Sequence, residues 1–263
     1  MNEKIYHVDA FAGKPFAGNP AAVCLLTSGH PKAWMQSIAA EMNLSETAFL
    51  LPEDEGYRLR WFTPKVEVEL CGHATLASAH VLYETKEMGA DSTILFHTQS
   101  GLLKANHRGN WVELDFPSQP PLPELLPGDV YAALGIHSGI ASRYGNKILI
   151  ELESESTIRG LQPDFACLQQ ATTSEVIVTS KAESRGFDFV SRFFAPVVGI
   201  NEDPVTGSAH CVLTPYWSRK LAKTEMKAYQ ASDRGGILKV RLSKERVFIL
   251  GQAVTIAQGL LDA

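Results

Sequence analysis

Two stretches of this chain repeat each other about half a chain apart. R-W-F-T-P from Arg60 precedes C-G-H-A-T from Cys71, and R-F-F-A-P from Arg192 precedes T-G-S-A-H from Thr206. The two arginines lie 132 positions apart in a chain of 263 residues. This spacing predicts an internal duplication, in which each half carries a strand, a glycine turn and a buried helix. Two such turns, brought face to face, would form a cleft lined by helix N-termini, where a small anion can bind.

The segments around these motifs predict an α+β protein with few helices. Short runs of β-branched and aromatic residues, separated by turns, recur in both halves and favour antiparallel sheet. Residues 74–87 have almost no polar face, which predicts a helix buried on all sides. Its counterpart at 208–221 is apolar at its start, and Pro215 should kink it or shift its start. Each half is therefore predicted to be an antiparallel sheet rolled around one buried helix.

A proline-rich segment marks the boundary between the two halves. Five prolines occur from Pro117 to Pro127 inclusive, where they favour extended chain and block both helix and central strand. The prediction is an N-terminal domain of residues 1–117 and a C-terminal domain of residues 118–263. The last few C-terminal residues are allowed to return to the N-terminal domain.

Composition and charge exclude several classes of partner. The net charge of -5 and the absence of a long basic stripe disfavour nucleic acid and anionic membranes. No targeting segment and no apolar run of membrane-spanning length are visible, so a cytoplasmic protein is expected. The four cysteines are far apart and form no C-x-x-C pair, which argues against a disulfide framework or a zinc knuckle.

Two glycine turns are candidate anion-binding elements. Gly72 with His73, and Gly207 with Ser208, stand where an extended segment should give way to a buried helix. Glycine lets the backbone approach a ligand, and the N–H groups of a first helical turn point outward at the positive end of the helix dipole. A carboxylate would be well held there. Alternatively, both glycines serve only the turn and Ser208 is an N-cap.

Two further side chains near the turns are candidates for polar chemistry. His73 can donate to a substrate oxygen or shuttle a proton, because both protonation states of histidine are accessible near neutral pH; the alternative is a histidine hydrogen-bonded at a helix start. Asp203 precedes Pro204 and so lies in an extended or turn segment. It could orient His73 or bind a substrate amine, or it could merely cap an Asx-type turn.

A carboxylate suited to proton transfer stands before an apolar strand. Glu46, in N-L-S-E-T-A-F-L-L, could be partly buried and able to accept a proton from carbon and return it. Alternatively, it is a solvated strand end. Glu175, in T-S-E-V-I-V, is its near-counterpart in the second half. The residues by themselves leave both candidates open.

The repeat also bears on the role of Cys71. Aligning Gly72 with Gly207 places Thr206 opposite Cys71, so a racemase with two facing cysteine bases would lack its second thiol. Cys211 lies one helical turn further on and cannot simply replace it. No metal is expected, because the cysteines and histidines near the turns show no recognised ligand spacing. They are Cys71, His73, His80, His210 and Cys211.

Five motifs, in order along the chain, resemble the phenazine-biosynthesis PhzF-like isomerase family. They are V-D-A-F-A-G-K-P-F-A-G-N-P-A-A-V, N-L-S-E-T-A-F, R-W-F-T-P, L-C-G-H-A-T and D-P-V-T-G-S-A-H. The resemblance implies the diaminopimelate epimerase fold, with the active site between two similar domains. It also implies a homodimer that needs neither metal nor organic cofactor. L-C-G-H-A-T, with Cys71 retained, looks like the uncharacterised branch of the family.

The resemblance also assigns roles to residues. Glu46 would move a proton between carbons of a small carboxylate substrate, and His73 and Asp203 would contact polar groups of that substrate. The substrate carboxylate would be held by Gly72, Gly207 and Ser208.

Three functions remain as hypotheses. The first is a cofactor-independent isomerase with Glu46 as base and then acid. The second is an amino-acid racemase or epimerase that uses Cys71 with a non-thiol partner such as Glu46. The third is a non-catalytic protein that binds small carboxylates.

Overall fold

The computed structural model describes residues 3–262, and the chain divides into two compact units. The first unit runs to Phe116 and resumes at Phe248, and the second spans Pro117–Val247. The prediction allowed the last few C-terminal residues to return to the N-terminal domain, and in the structure this return begins at Phe248. The cause is strand pairing, because β18 (Ala253–Leu261) lies antiparallel to β1 (Glu3–Ala10).

In the first unit most strand pairs are antiparallel and two are parallel. The other strands are β2 (Asn19–Leu25), β3 (Glu46–Glu53), β4 (Gly56–Phe62), β5 (Glu67–Val68), β6 (Ile94–Thr98), β7 (Gly101–Arg108) and β8 (Trp111–Pro117). The pairs β1–β2, β3–β4, β6–β7 and β7–β8 are antiparallel. The pairs β2–β3 and β4–β6 are parallel. Both parallel pairs are joined by a helical crossover, which is the connection that parallel strands require.

The second unit repeats this order of pairs. Its strands are β9 (Leu122–Pro123), β10 (Ile140–Tyr144), β11 (Lys147–Glu151), β12 (Glu175–Lys181), β13 (Phe189–Ala195), β14 (Ile200–Glu202), β15 (Glu225–Gln230) and β16 (Gly236–Ser243), and β17 (Arg246–Gly251) leads back into the first unit. The pairs β10–β11, β12–β13 and β15–β16 are antiparallel. The pairs β11–β12 and β13–β15 are parallel. The same sequence of pairs in both units confirms the α+β fold and its internal duplication.

Six α-helices lie in the described part of the chain. They are α1 (Lys32–Met42), α2 (Gly72–Glu84), α3 (Gly128–Ala133), α4 (Glu155–Gly160), α5 (Phe165–Ala171) and α6 (Gly207–Leu221). The longest, α6, has 15 residues, and none of the described helices combines the length and apolarity needed to cross a membrane.

Helix α2 is the central helix of the first unit. It begins two residues before the predicted start and ends three before the predicted end, since Lys86 takes a left-handed φ of 61°. The helix needs no polar face because its hydroxyl groups bond to its own backbone. Thr75 donates to the carbonyl of Cys71 at 2.5 Å, and Ser78 donates to the carbonyl of Ala74 at 2.7 Å.

Helix α6 is the corresponding helix of the second unit and continues through Pro215. Proline has no N–H group, so it cannot donate to the carbonyl of Cys211 one turn earlier. The backbone N–H of Gln119, in the proline-rich segment, donates to that carbonyl instead at 3.0 Å. The segment that marks the predicted boundary thus satisfies the carbonyl group that the proline leaves exposed.

The repeated R-aromatic-F motif forms the same ion pair in both units. Arg60 contacts both carboxylate oxygens of Glu67, at 2.7 and 3.0 Å, and Arg192 contacts both oxygens of Glu202, each at 2.8 Å. Each arginine also lies over the phenylalanine two positions further on, 5.1 and 5.0 Å from the ring centroid. The motif therefore joins two strands within each unit.

Candidate active site

The structure brings Glu46 and His73 together in the first unit. Glu46 is the first residue of β3 and His73 the second residue of α2, and Oε2 of Glu46 lies 3.1 Å from Nε2 of His73. The two side chains are 13% and 6% exposed. Among residues 3–262 neither of these atoms has a hydrogen-bond partner, so they approach at ion-pair distance without hydrogen-bond alignment. A base and an imidazole are thus buried side by side with unused hydrogen-bonding capacity.

The other ring nitrogen of His73 faces two side chains. Nδ2 of Asn19 lies 3.2 Å from Nδ1, and Sγ of Cys71 lies 3.5 Å from it. Asn19 begins β2, which runs parallel to β3 with Ala21 beside Glu46. Asn19 received no role from the sequence, although it stands in the G-N-P-A-A-V part of the first family motif. Only the parallel pairing of the two strands places it beside His73.

Burial and the charge of Glu46 shift the pKa of Cys71 in the same direction and the pKa of His73 in opposite directions. Burial raises the pKa of the Cys71 thiol, and the carboxylate of Glu46 raises it further. Burial lowers the pKa of His73, but negative charge on Cys71 or Glu46 raises it, and the net pKa lies well above its ordinary value. A thiol with a raised pKa stays protonated and neutral, so Cys71 does not supply its share of that charge. The upward shift of the His73 pKa is therefore caused by the carboxylate of Glu46.

Glu46, Cys71 and His73 are also the one group of three potential metal ligands found among residues 3–262. One ligand atom from each lies within 4.8 Å of the others. However, Cys71 approaches Nδ1 and Glu46 approaches Nε2, whereas a zinc ion would bond one nitrogen at about 2.0 Å and sulfur at about 2.3 Å. Binding one ion would require Cys71 or Glu46 to move to the opposite nitrogen. The arrangement fits proton transfer along the ring better than it fits metal coordination.

Asp203 lies in a hydrogen-bonded turn of the second unit. Its Oδ2 accepts a hydrogen bond from the hydroxyl of Thr206, which is a contact between side chains and not the side-chain-to-backbone bond of an Asx-type turn. The fully buried Gln230 holds the same turn: it accepts from the backbone N–H of Thr206 at 2.9 Å and donates to the carbonyl of Asp203 at 2.8 Å. Gln230 ends β15, and no local sequence pattern identified it.

Gly72, Gly207 and Ser208 all lie in the first turn of a central helix. In neither helix does the N-cap side chain, Cys71 in α2 and Thr206 in α6, accept a bond from that turn. The hydroxyl of Thr206 is directed to Asp203 instead. Each helix therefore presents the positive end of its dipole without a side-chain cap from its N-cap residue.

Glu175 occupies the position in β12 that Glu46 occupies in β3, but its surroundings differ. Its carboxylate lies 3.1 Å from Nζ of Lys147, with which it is in register across the β11–β12 pair. Glu46 faces a histidine instead. Of the two glutamates that the residues left open, only Glu46 lies beside a histidine in the described part of the chain.

The sequence of this chain matches the family model described as phenazine biosynthesis-like protein over residues 8–259. The chain belongs to the phenazine biosynthesis-like protein family. The resemblance seen in the motifs is thereby confirmed, and the match spans both structural units.

Relatives within the family support this grouping, and a more distant structure shares the fold. The chain is 55% identical over 262 residues to a protein of Halalkalibacterium halodurans named an uncharacterized isomerase, and the match covers 99% of each chain. It is similar to the crystal structure of a phenazine biosynthesis protein of the PhzF family from Enterococcus faecalis, with 44% identity, complete coverage of both chains and a TM-score of 0.95. A hydroxyproline epimerase from Agrobacterium vitis shares only 11% identity, with coverage of 99% and 92% and a TM-score of 0.64, so it shares the fold alone.

Proposed function

We propose that this protein is an isomerase that moves a proton between carbons of a small carboxylate substrate. The observation that carries the proposal is the pair of Glu46 and His73, 3.1 Å apart and buried, with no hydrogen bond to either facing atom within residues 3–262. A carboxylate kept from internal hydrogen bonds can accept a proton from a carbon acid and return it elsewhere on the substrate. The proposed step needs no metal or organic cofactor, because the same carboxylate removes and returns the proton.

The remaining site residues are proposed to bind and orient the substrate. Gly72 in the first unit, and Gly207 with Ser208 in the second, are each proposed to offer first-turn N–H groups to a carboxylate. His73 donates to a substrate oxygen that gains negative charge as the proton leaves carbon. Asp203 contacts a polar group of the substrate. Two relatives of this chain, 55% and 48% identical over 262 and 259 residues, are named uncharacterized isomerases, and these names support the proposal.

Proton exchange with solvent tests the proposal. A panel of amino, hydroxy and unsaturated carboxylates is screened by thermal shift, because a ligand that binds the folded state stabilises it. Each stabilising compound is then incubated with the protein in deuterated water and followed by proton NMR. Wild type should exchange and isomerise at least one of them, and Glu46→Gln should bind it without exchange.

Glu175→Gln is the matched control, because Glu175 starts the corresponding strand but pairs with Lys147. It should retain exchange. Undiminished exchange in Glu46→Gln would exclude Glu46 as the base. A stabilising ligand that wild type never converts would favour the alternative of a non-catalytic carboxylate-binding protein.

A racemase or epimerase that uses Cys71 is the second candidate function. The observation in its favour is the 3.5 Å contact between Sγ of Cys71 and Nδ1 of His73, which places a thiol in the proton-transfer cluster. Thr206 at the repeat-related position weakens it, because its hydroxyl is bonded to Asp203. Cys71→Ser should abolish exchange at the α-carbon of an amino acid under this mechanism, and should preserve exchange under the Glu46 mechanism.

The homodimer and the cytoplasmic location expected from the sequence stay predictions. Sedimentation equilibrium tests the first, and cell fractionation tests the second.

A further inference from the structure

The hydrogen-bonding capacities of the groups around His73 constrain where its proton sits. The atom of Asn19 that approaches Nδ1, at 3.2 Å, is the amide nitrogen, which can donate a hydrogen bond but cannot accept one. Cys71 approaches the same Nδ1 at 3.5 Å, and a neutral thiol is a weak donor. Two donors therefore converge on one ring nitrogen, and that nitrogen must be the acceptor.

We propose that Asn19 is a positioning residue that places the proton of the neutral His73 ring on Nε2, the nitrogen that lies 3.1 Å from Oε2 of Glu46. In a neutral imidazole one nitrogen donates and the other accepts, so a donor fixed at Nδ1 selects the Nε2–H tautomer. The proposal rests on the proposed function only in taking Nε2 as the substrate-facing atom.

The strand framework keeps Asn19 in place. The residue is fully buried, and its backbone lies opposite Ala10 in the β1–β2 ladder. On its other side β2 pairs in parallel with β3, the strand that begins at Glu46. The amide therefore reaches His73 from a strand whose position relative to Glu46 is set by backbone hydrogen bonds.

This arrangement would divide the proton-transfer roles between two residues. Glu46 is then free to act as the base toward carbon, while His73 presents an N–H group that can donate to a substrate oxygen. A proton placed on Nδ1 would point at the Asn19 amide nitrogen, so Asn19 opposes formation of the imidazolium. Glu46 acts in the opposite direction, because its negative charge raises the pKa of His73. The charge state of His73 therefore depends on the balance between the Asn19 amide of β2 and the Glu46 carboxylate of β3.

The test is the tautomer of His73 in the ligand-free protein, read by nitrogen-15 NMR. The protein has eight histidines, and the His73 signals are identified by their loss in His73→Asn. At a pH above the titration of His73, wild type should show an unprotonated Nδ1 and a protonated Nε2. A proton on Nδ1 in that state would overturn the proposal, and this outcome requires no variant to fold.

The nearly isosteric Asn19→Asp reverses the hydrogen-bonding sense at Nδ1, because a carboxylate accepts. The proton should move to Nδ1, and the titration midpoint of His73 should rise by about one pH unit or more, as expected for an added negative neighbour. Cys71→Ala, which keeps the amide donor, should leave the tautomer unchanged. An unchanged tautomer in folded Asn19→Asp would contradict the proposal.

These spectra need no substrate, whereas the exchange assay on Glu46→Gln needs one. A wild-type protein with the expected tautomer and no exchange activity would reject the proposed function alone. An active protein with its proton on Nδ1 would reject the role of Asn19 alone.

Discussion

His210 should make the folded protein lose stability as the pH falls from 7 to 5. It is fully buried in α6, where Nδ1 lies 2.8 Å from the carbonyl of Thr206, and Nε2 has no hydrogen-bond partner among residues 3–262. The centroid of its ring lies 6.0 Å from the ring centroid of Phe189. Burial lowers the pKa of His210 from its ordinary 6.5 to about 4. The folded state therefore keeps this histidine neutral at pH values where the unfolded chain protonates it.

The sign and size of the effect follow from linkage. Below pH 6.5 the unfolded chain binds a proton that the folded protein refuses until about pH 4, so folding stability falls across that window. At about 1.4 kcal/mol per pH unit, the full loss is about 3 kcal/mol. Between pH 7 and pH 5 the expected loss is about 2 kcal/mol, which is a large part of the 5–15 kcal/mol typical of a folded domain.

The sign and pH range of the effect separate His210 from Glu155 and His73, whereas His80, whose pKa is also lowered by burial, acts with the same sign and is common to wild type and variant. Burial raises the pKa of Glu155, but hydrogen bonds from Ser184, Arg159 and Glu183 lower it by a larger amount. The resulting pKa of Glu155 is about 2. Its contribution is lost only as the pH falls below the ordinary glutamate value of 4.5. His73 acts with the opposite sign, because its raised pKa gives stability that is present below pH 6.5 and lost as the pH rises.

The assay compares wild type with His210→Asn by urea unfolding at pH 7 and pH 5. Asparagine keeps a donor near the position of Nδ1 but cannot be protonated, and the lost volume should cost the same at both pH values. Because the other titrating groups are common to both proteins, their contributions cancel in the difference. Wild type should lose about 2 kcal/mol more than the variant.

His137, an exposed histidine of the same unit, is the control. His137→Asn should follow the wild-type pH dependence. Parallel loss of stability in wild type and His210→Asn would refute the reasoning, because it would mean that His210 titrates alike in the folded and unfolded states.

Two further outcomes test the packing. Arg192→Met should lower the free energy of unfolding by about 3–5 kcal/mol, because it leaves the carboxylate of Glu202 without its bidentate partner and removes the donor to two backbone carbonyls. Arg60→Met in the first unit should cost less, since Arg60 is more exposed, and equal losses in urea unfolding would contradict this. Cys167 is the only exposed cysteine, so one thiol should react quickly with a disulfide reagent at pH 8 and none in Cys167→Ser; a second fast thiol in the native protein would contradict the burial of the others.

The duplication, the central helices and the glycine turns were predictable from the amino-acid sequence. The repeated sequence motifs form corresponding strands and turns in the two halves. An almost wholly apolar segment such as 74–87 has no polar face for contact with water, so a buried helix could be predicted. The resemblance to family motifs pointed to Glu46, His73 and Asp203 as candidate site residues. Local patterns of this kind determine which elements form.

The partners of the polar side chains were decided by the tertiary structure. Glu46 and Glu175 begin corresponding strands, yet one faces His73 and the other pairs with Lys147. The neighbouring parallel strand makes the difference, because the residue in register with Glu46 is Ala21 of β2, whereas the residue in register with Glu175 is Lys147 of β11.

Asn19 and Gln230 escaped prediction for the same reason. Asn19 meets His73 across 54 positions of sequence, and Gln230 meets Thr206 across 24. The role of an asparagine or glutamine side chain cannot be predicted from the residue type alone. Its amide group can donate or accept a hydrogen bond, and the partner depends on the chain segment packed against it. Sequence patterns therefore predicted the turns and the candidate site residues, whereas the packing of distant strands against α2 and α6 decided which amide groups contact them.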